Sequence, residues 1–245
     1  MKSYTDVAVI GAGISGISAA TYLSKKCPNK SFTIFEKRNS IGGTWDLFKY
    51  PGIRSDSDMF TLGFSFKPWR ERKAIADGPS IMKYLNETVY ENKLEENIEY
   101  NKSLIKAEWS SDKALWELTI FNSTSNENDL ITCKFLFMCS GYYSYENGYT
   151  PEFKGIENFQ GSIIHPQKWS DDIEYKSKNV VVIGSGATAV TLVPEIAKEA
   201  NSVIMLQRSP TYIVAYPDQD IVSNFLKAIF PSRVSYALTL SLIHI

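Results

Sequence analysis

Asp6-Val-Ala-Val-Ile10 runs directly into Gly11-Ala-Gly-Ile-Ser-Gly16, and this junction decides the fold. A short run that is apolar on both sides reads as a parallel strand covered on both faces. The glycines that follow stand at G-x-G-x-x-G spacing. Gly11 permits a tight turn, Gly13 lets the backbone approach a pyrophosphate, and Gly16 lets a helix close on the strand. Ile17, Ala20 and Leu23 mark one side of that helix, expected over about 15–25 with Ser15 in its first turn. Phe32-Thr-Ile-Phe35 is a second strand and ends at Glu36. The helix N-terminus offers unpaired N–H groups to phosphate, and the Glu36 carboxylate can accept from ribose hydroxyls. The same carboxylate would repel a 2′-phosphate, so FAD or NAD is favoured over NADP. A glycine-rich turn that binds nothing is the plainer alternative. Strand, helix, second strand and terminal acid, all in place, weigh against it.

The pattern recurs. Lys178-Asn-Val-Val-Val-Ile183 reads as another buried strand, followed by Gly184-Ser185-Gly186-Ala187-Thr188-Ala189 in G-x-G-x-x-A form and a helix to about residue 199. Ser202-Val-Ile-Met-Leu206 then ends at Gln207-Arg208-Ser209. Here the strand end is basic. Arg208 and Ser209 suit a 2′-phosphate, which selects NADP over NAD, against the alternative of an ordinary surface arginine.

Composition sets outer bounds. The chain has 245 residues, 44% hydrophobic and 22% charged, with formal net charge −1. That balance gives no broad electrostatic case for nucleic acid or an anionic membrane. Cys27, Cys133 and Cys139 form no CxxC pair and no disulfide framework, so a reducing cytoplasm fits best and a dithiol reductase is disfavoured. With only His165 and His244, a zinc site or a serine triad would rest almost wholly on one histidine. No apolar run approaches the ~20 residues of a membrane span, though peripheral membrane association is left open.

Pro79 opens an expected helix through Ile81, Tyr84, Leu85, Val89 and Tyr90. Strand-like runs at 104–109, 115–121 and 132–139, with a polar turn at 122–129, predict an antiparallel meander inserted into the first domain. Cys133 and Cys139 lie in or beside its last strand and read as buried, inert thiols.

Two stretches stay irregular. Gly42-Gly-Thr-Trp-Asp-Leu-Phe-Lys-Tyr-Pro-Gly-Ile-Arg-Ser-Asp56 is too rich in glycine, proline and aromatics for regular structure. It is either a core cover, with Arg54 paired to Asp56 or Asp58, or a loop over a flat ligand with Arg54 near an anionic group. Phe159-Gln-Gly-Ser-Ile-Ile-His-Pro-Gln-Lys-Trp169 is either a surface loop or a joint between the two nucleotide units.

Both stretches carry a resemblance. Gly42-Gly-Thr-Trp45, Tyr50-Pro-Gly52 and Asp56 resemble the flavin-loop fingerprint of Baeyer–Villiger flavin monooxygenases. Phe159, Gly161, His165 and Trp169 match that family's F-x-G-x-x-x-H-x-x-x-W fingerprint, with Ser170 where Pro or Asp is usual. Longer runs look like the ethionamide-activating branch of the family, and the resemblance extends from residue 1 to about 235.

The resemblance implies an α/β fold of two Rossmann-like dinucleotide-binding domains, FAD first and NADPH second, with an antiparallel β meander. It places an FAD domain at 1–145, a linker with the hinge motif at 146–175, and the beginning of an NADP domain at 176–245. FAD contacts would be Gly11, Gly13, Ser15, Gly16, Glu36, Gly43, Thr44, Trp45, Asp46, Leu47 and Asp56, with Leu104 passing the adenine. NADP contacts would be Arg54, Ser55, Gly184, Ser185, Gly186, Ala187, Thr188, Ala189, Gln207, Arg208 and Ser209. Arg54 and Asp56 would line the flavin–nicotinamide contact, and His165 with Trp169 would couple the domains.

The implied activity is NADPH-dependent transfer of one oxygen atom from O₂ into a ketone, or onto sulfur in a thio-carbonyl substrate. Alternatives are an N- or S-oxygenating flavin monooxygenase and an inactive nucleotide-binding fragment. The family's active-site arginine has no counterpart here, and the tail from about Leu240 does not resemble the family. A C-terminally truncated gene product of a protein about twice this length is therefore expected, inactive by itself.

Overall fold

The computed structural model describes residues 3–209, 212–215 and 217–243; His244, in the tail singled out above, lies outside them. In chain order the elements begin β1 (Tyr4–Ile10), α1 (Ile14–Lys26), β2 (Phe32–Phe35), α2 (Thr44–Leu47), α3 (Met59–Leu62) and α4 (Gly78–Glu91). There follow β3 (Ile98–Glu99), β4 (Lys102–Ser110), β5 (Leu115–Asn122) and β6 (Glu127–Met138). The chain continues with β7 (Asn179–Ile183), α5 (Ala187–Ile196), β8 (Ser202–Leu206), α6 (Ile221–Ile229) and α7 (Ser232–Ile243). Contacts divide it into two compact units: residues 1–47 with 81–145, and 48–80 with 146–245.

The first unit is built on one six-stranded sheet in the order β3-β2-β1-β6-β5-β4. β1 lies at its centre, parallel to both β2 and β6. That position explains its composition: Ala8 and Val9 are fully buried, as is Ile34 on β2. Burying each larger aliphatic side chain contributes roughly 1.5–3 kcal/mol. The antiparallel meander β4-β5-β6 is as expected, and Leu118, Ile120, Ile131 and Cys133 join Ala8, Ile10 and Phe35 in one core cluster.

The turn before β6 is shorter than the polar run suggested. Asn126 takes a left-handed φ of 59°, and the Asn122 Oδ1 accepts from the Thr124 and Ser125 amides, 3.0 and 3.4 Å away. Asparagine tolerates that backbone and closes such turns with its own side chain, so β6 starts at Glu127, five residues before the expected run. Cys133 is buried as expected, whereas Cys139 is half-buried. Burial raises both thiols above their usual range, which keeps them protonated at neutral pH.

The second unit holds a two-stranded parallel sheet, β7-β8. Here an expectation fails. The apolar 178–183 run predicts a buried strand, yet both strands alternate, with Val181, Ile183, Ile204 and Leu206 all more than half exposed. α5 covers one face through Ala189, Leu192 and Ile196; the other face is open. Among the described residues no helix is long and apolar enough to cross a membrane.

Candidate functional site

The first nucleotide loop leaves the sheet where three strands end level, with Ile10 registered against both Phe35 and Met138. The Gly11 amide donates to the Phe35 carbonyl at 2.8 Å and the Cys139 amide to the Ile10 carbonyl at 2.9 Å. Gly11 has φ +102°, and a Cβ there would lie 2.6 Å from the Cys139 carbonyl oxygen. Only glycine fits both conditions. Gly16 closes α1 on this turn so tightly that a Cβ would overlap the Gly11 carbonyl.

Gly13 is different. A Cβ there would meet only the Gly43 Cα, at 3.8 Å, so two glycine backbones face each other across a small cradle. Gly13 caps α1, whose first turn carries no acidic residue, leaving the positive end of the helix uncompensated for an anion.

Glu36 is fixed beside this cradle. It is buried; one carboxylate oxygen accepts from the Ala12 amide at 2.7 Å and the other from the Arg38 amide at 2.9 Å. A carboxylate has about four acceptor sites, so capacity for ribose hydroxyls is left. Gly42, at φ +102°, donates its amide to the Ala12 carbonyl and ties the second glycine pair to the first. Thr44, Trp45, Asp46 and Leu47 form the single-turn α2 beside it.

Asp46, an expected flavin contact, is held in place by protein partners. Its Oδ2 accepts from Arg38 Nη2 and from Ser40 Oγ, each at 2.6 Å. Arg38 also lies 5.9 Å from the centroid of the Tyr145 ring. Burial, then the nearby Glu36 charge, raise the Tyr145 phenol above its usual range. Sequence reading missed Arg38 and Tyr145. The signal available was a cation two residues past the strand-ending acid. Leu104 lies on β4 beside a register shift between Leu104 and Lys106, and is half-buried.

In the second unit, Gly184 has φ +130° and donates its amide to the Leu206 carbonyl at 2.9 Å. A Cβ at Gly184 or at Gly186 would meet no atom within 4 Å, which leaves the start of α5 open to an approaching group. As in α1, the first turn of α5, Ala187 to Ala189, carries no acid. Ser185 is half-buried, while Gln207, Arg208 and Ser209 follow β8 in exposed positions.

The 48–80 stretch packs on α5. The Tyr50 hydroxyl is hydrogen-bonded to Thr188, and burial raises its pKa. Gly52, at φ +77°, lies so close to Glu195 that a Cβ would overlap that side chain. Asp58 is not a partner for Arg54, because it caps α3 by accepting from the Phe60 and Thr61 amides at 2.9 and 3.0 Å. Arg54 is exposed, its backbone paired in an isolated antiparallel β-bridge with that of Asp77; Ser55 is buried and bonded to Ala76 and Ser57; Asp56 is exposed.

The hinge fingerprint is a series of local contacts. Phe159 folds over Gly161, and the His165 ring covers Gly148 so closely that a Cβ would overlap it. His165 Nδ1 accepts from the Gln167 amide at 3.2 Å, which caps a single 3₁₀ turn at Pro166–Lys168. Trp169 meets Tyr175 edge-on at 5.8 Å.

Two strand–glycine-loop–helix units, one acid-ended and one base-ended, define a dinucleotide-binding α/β protein. The sequence pattern of NAD(P)-binding Rossmann-like domains matches residues 9–77, and that of flavin-binding monooxygenase-like proteins matches residues 65–242. The chain belongs to the flavin-binding monooxygenase-like family. It is 52% identical over 237 residues to the FAD-containing monooxygenase EthA of Mycobacterium tuberculosis, a match over 96% of this chain and 48% of that protein. It is 46% identical over 240 residues to the probable FAD-binding monooxygenase AlmA of Acinetobacter sp, covering 98% of this chain and 48% of that one. The chain thus spans about half the length of the curated relatives it matches. Among solved structures, an oxidised steroid monooxygenase bound to NADP superposes with a TM-score of 0.79 at 28% identity, over 96% of this chain and 43% of that chain. A cyclohexanone-bound cyclohexanone monooxygenase superposes at 0.81 and 24% identity, over 98% and 45%, a likeness of fold.

Proposed function

We propose that the protein binds FAD at the Gly11–Gly16 loop and NADPH at the Gly184–Ala189 loop. The proposed activity, in a full-length form of which this chain spans about half, is NADPH-dependent oxygenation of a small ketone or thio-carbonyl compound by O₂. The observation that carries the cofactor assignment is the contrast between the two strand ends. Buried Glu36 suits ribose hydroxyls, whereas exposed Arg208 suits a phosphate. The glycine cradle of Gly13 and Gly43 and the open approach at Gly184 and Gly186 fit the two dinucleotides.

FAD, when bound, supplies the redox and oxygen chemistry. This chain's own residues bind and orient. Gly11, Gly13, Ser15 and Gly16 would present the helix end to pyrophosphate, with Gly43, Thr44, Trp45 and Leu47 forming the adjoining wall and Leu104 near the adenine. Asp46 would act through Arg38, by fixing the wall. Arg54, Ser55 and Asp56 sit on the 48–80 stretch that packs on α5, which suits a place near the nicotinamide side. Gln207 and Ser209 would flank Arg208 at the phosphate.

On this reading residues 1–145 form the FAD domain, 146–175 the linker and 176–245 the start of the NADP domain, with the flavin loop shared. Within that loop, residues up to Leu47 belong to the first compact unit and those from Phe48 to Asp56 to the second.

The test is to reconstitute the purified chain, extended to full length, with FAD, record the flavin spectrum, and compare anaerobic bleaching by NADPH and NADH. Products from a ketone, a thioether and an amine are then analysed in parallel. Exclusive oxidation of the amine would replace this reading with an N-oxygenating one. Arg208→Ala should raise KM for NADPH far more than for NADH, by roughly 1.5–3 kcal/mol in binding. Equal effects on both nucleotides would remove the basis for NADP preference. In the full-length enzyme His165→Ala should keep the flavin spectrum and lose oxygenation efficiency; wild-type turnover would return 159–169 to a plain surface loop.

A further inference from the structure

The second unit contains a cavity of about 190 Å³ that none of the nucleotide motifs lines. That volume is about six waters' worth of liquid and is too small for a drug-sized ligand. Three aromatic side chains, Phe60, Trp69 and Tyr236, contribute to its wall. Its charged lining is cationic only, Arg70 and Lys227, with no carboxylate.

Neither cation makes an ion pair among the described residues. Arg70 is exposed. The Lys227 ammonium donates to the Glu71 carbonyl at 2.8 Å and stands 4.6 Å from the Phe60 ring centroid. An ammonium has three donors, so two are left for a ligand. Burial lowers the Lys227 pKa; the charges of Asp220 and Glu71 offset this only in part. Two hydroxyls of the lining are engaged with protein: Ser235 donates to the Ser232 carbonyl at 3.1 Å, and Thr239 to Ser223 Oγ at 3.4 Å. The charge that the lining presents to the cavity is therefore cationic.

We propose that this cavity binds a small organic carboxylate with a flat apolar body, the ring against the aromatic wall and the carboxylate at Lys227 and Arg70. A charged guanidinium and a half-buried ammonium favour an anion through charge-assisted hydrogen bonds. The aromatic wall favours a ring over an inorganic ion. The assignment does not depend on the monooxygenase reading, because neither nucleotide loop lines the cavity.

Benzoate and its neutral analogue benzamide are the probes, titrated calorimetrically into the full chain. Saturable benzoate binding is expected, at least tenfold tighter than benzamide. Arg70→Gln, at an exposed position that will not disturb folding, should weaken benzoate at least fivefold. Lys227→Met, which keeps the alkyl stem, should weaken it at least tenfold with an unchanged far-UV circular dichroism spectrum. Equal affinity for the two probes, no benzoate binding at tens of millimolar, or wild-type affinity in Arg70→Gln would each overturn the proposal.

Discussion

Gly16→Ala is expected to lower the unfolding free energy by about 3 kcal/mol, although alanine is the better helix former. Two effects oppose each other. Inside a helix, alanine in place of glycine contributes roughly 0.5–1 kcal/mol of stability. Against that, the added Cβ would overlap the Gly11 carbonyl, a backbone atom of the turn between β1 and α1. That turn is tied to Phe35 and lies against Cys139, so it cannot yield without loosening the sheet centre. The overlap wins. Thermal unfolding should show a midpoint lower by roughly 6–12 °C. Gly13→Ala is the control. Its Cβ would meet only the Gly43 Cα at 3.8 Å, so the protein should keep its unfolding midpoint and lose flavin. If Gly16→Ala melted like the wild type, the close helix–strand contact would not be what the first glycine motif is for.

The second large effect belongs to an ion pair that sequence reading did not find. Lys102 Nζ and Asp129 Oδ2 are 2.6 Å apart, with side chains 8% and 17% exposed. Lys102→Met would leave Asp129 charged and largely removed from water, at a cost of about 3 kcal/mol. Removing both charges is another matter. Lys102→Met with Asp129→Leu should recover most of the loss, because a buried pair seldom outweighs its own desolvation. Urea unfolding of the two single variants and the double variant completes the cycle. Additive losses would show that the two charges do not depend on each other.

The first unit was the more legible part of the fold. Its motif joins an apolar strand, three glycines, a periodic helix and a terminal acid, and each has one geometric use. The meander was legible because its turns are polar and its strands rich in β-branched and aromatic residues. What failed was exposure. An apolar run such as Val180-Val-Val-Ile183 looks alike whether covered on one face or two, and Val181 and Ile183 are exposed.

At the site, the glycines and Glu36 could be placed because backbone geometry restricts them. Pairings distant in sequence could not. Lys102 with Asp129, Tyr50 with Thr188, and Tyr145 near Arg38 depend on where the chain returns. The partners Arg38 and Ser40 that hold Asp46 were likewise not legible, although its place in the fingerprint was.

The central position of β1 also bears on the order of events during synthesis. Its pairing with β2 is nearly local, Val7 with Phe32, but on its other edge Tyr4 pairs with Thr132. At roughly 5–20 residues per second, about 6–26 s separate the emergence of those partners from the ribosome. Through that interval one edge of this central strand has no native neighbour. The helix–strand contact at Gly16 is complete long before, so the nucleotide loop can be in place while the sheet around it is still half made.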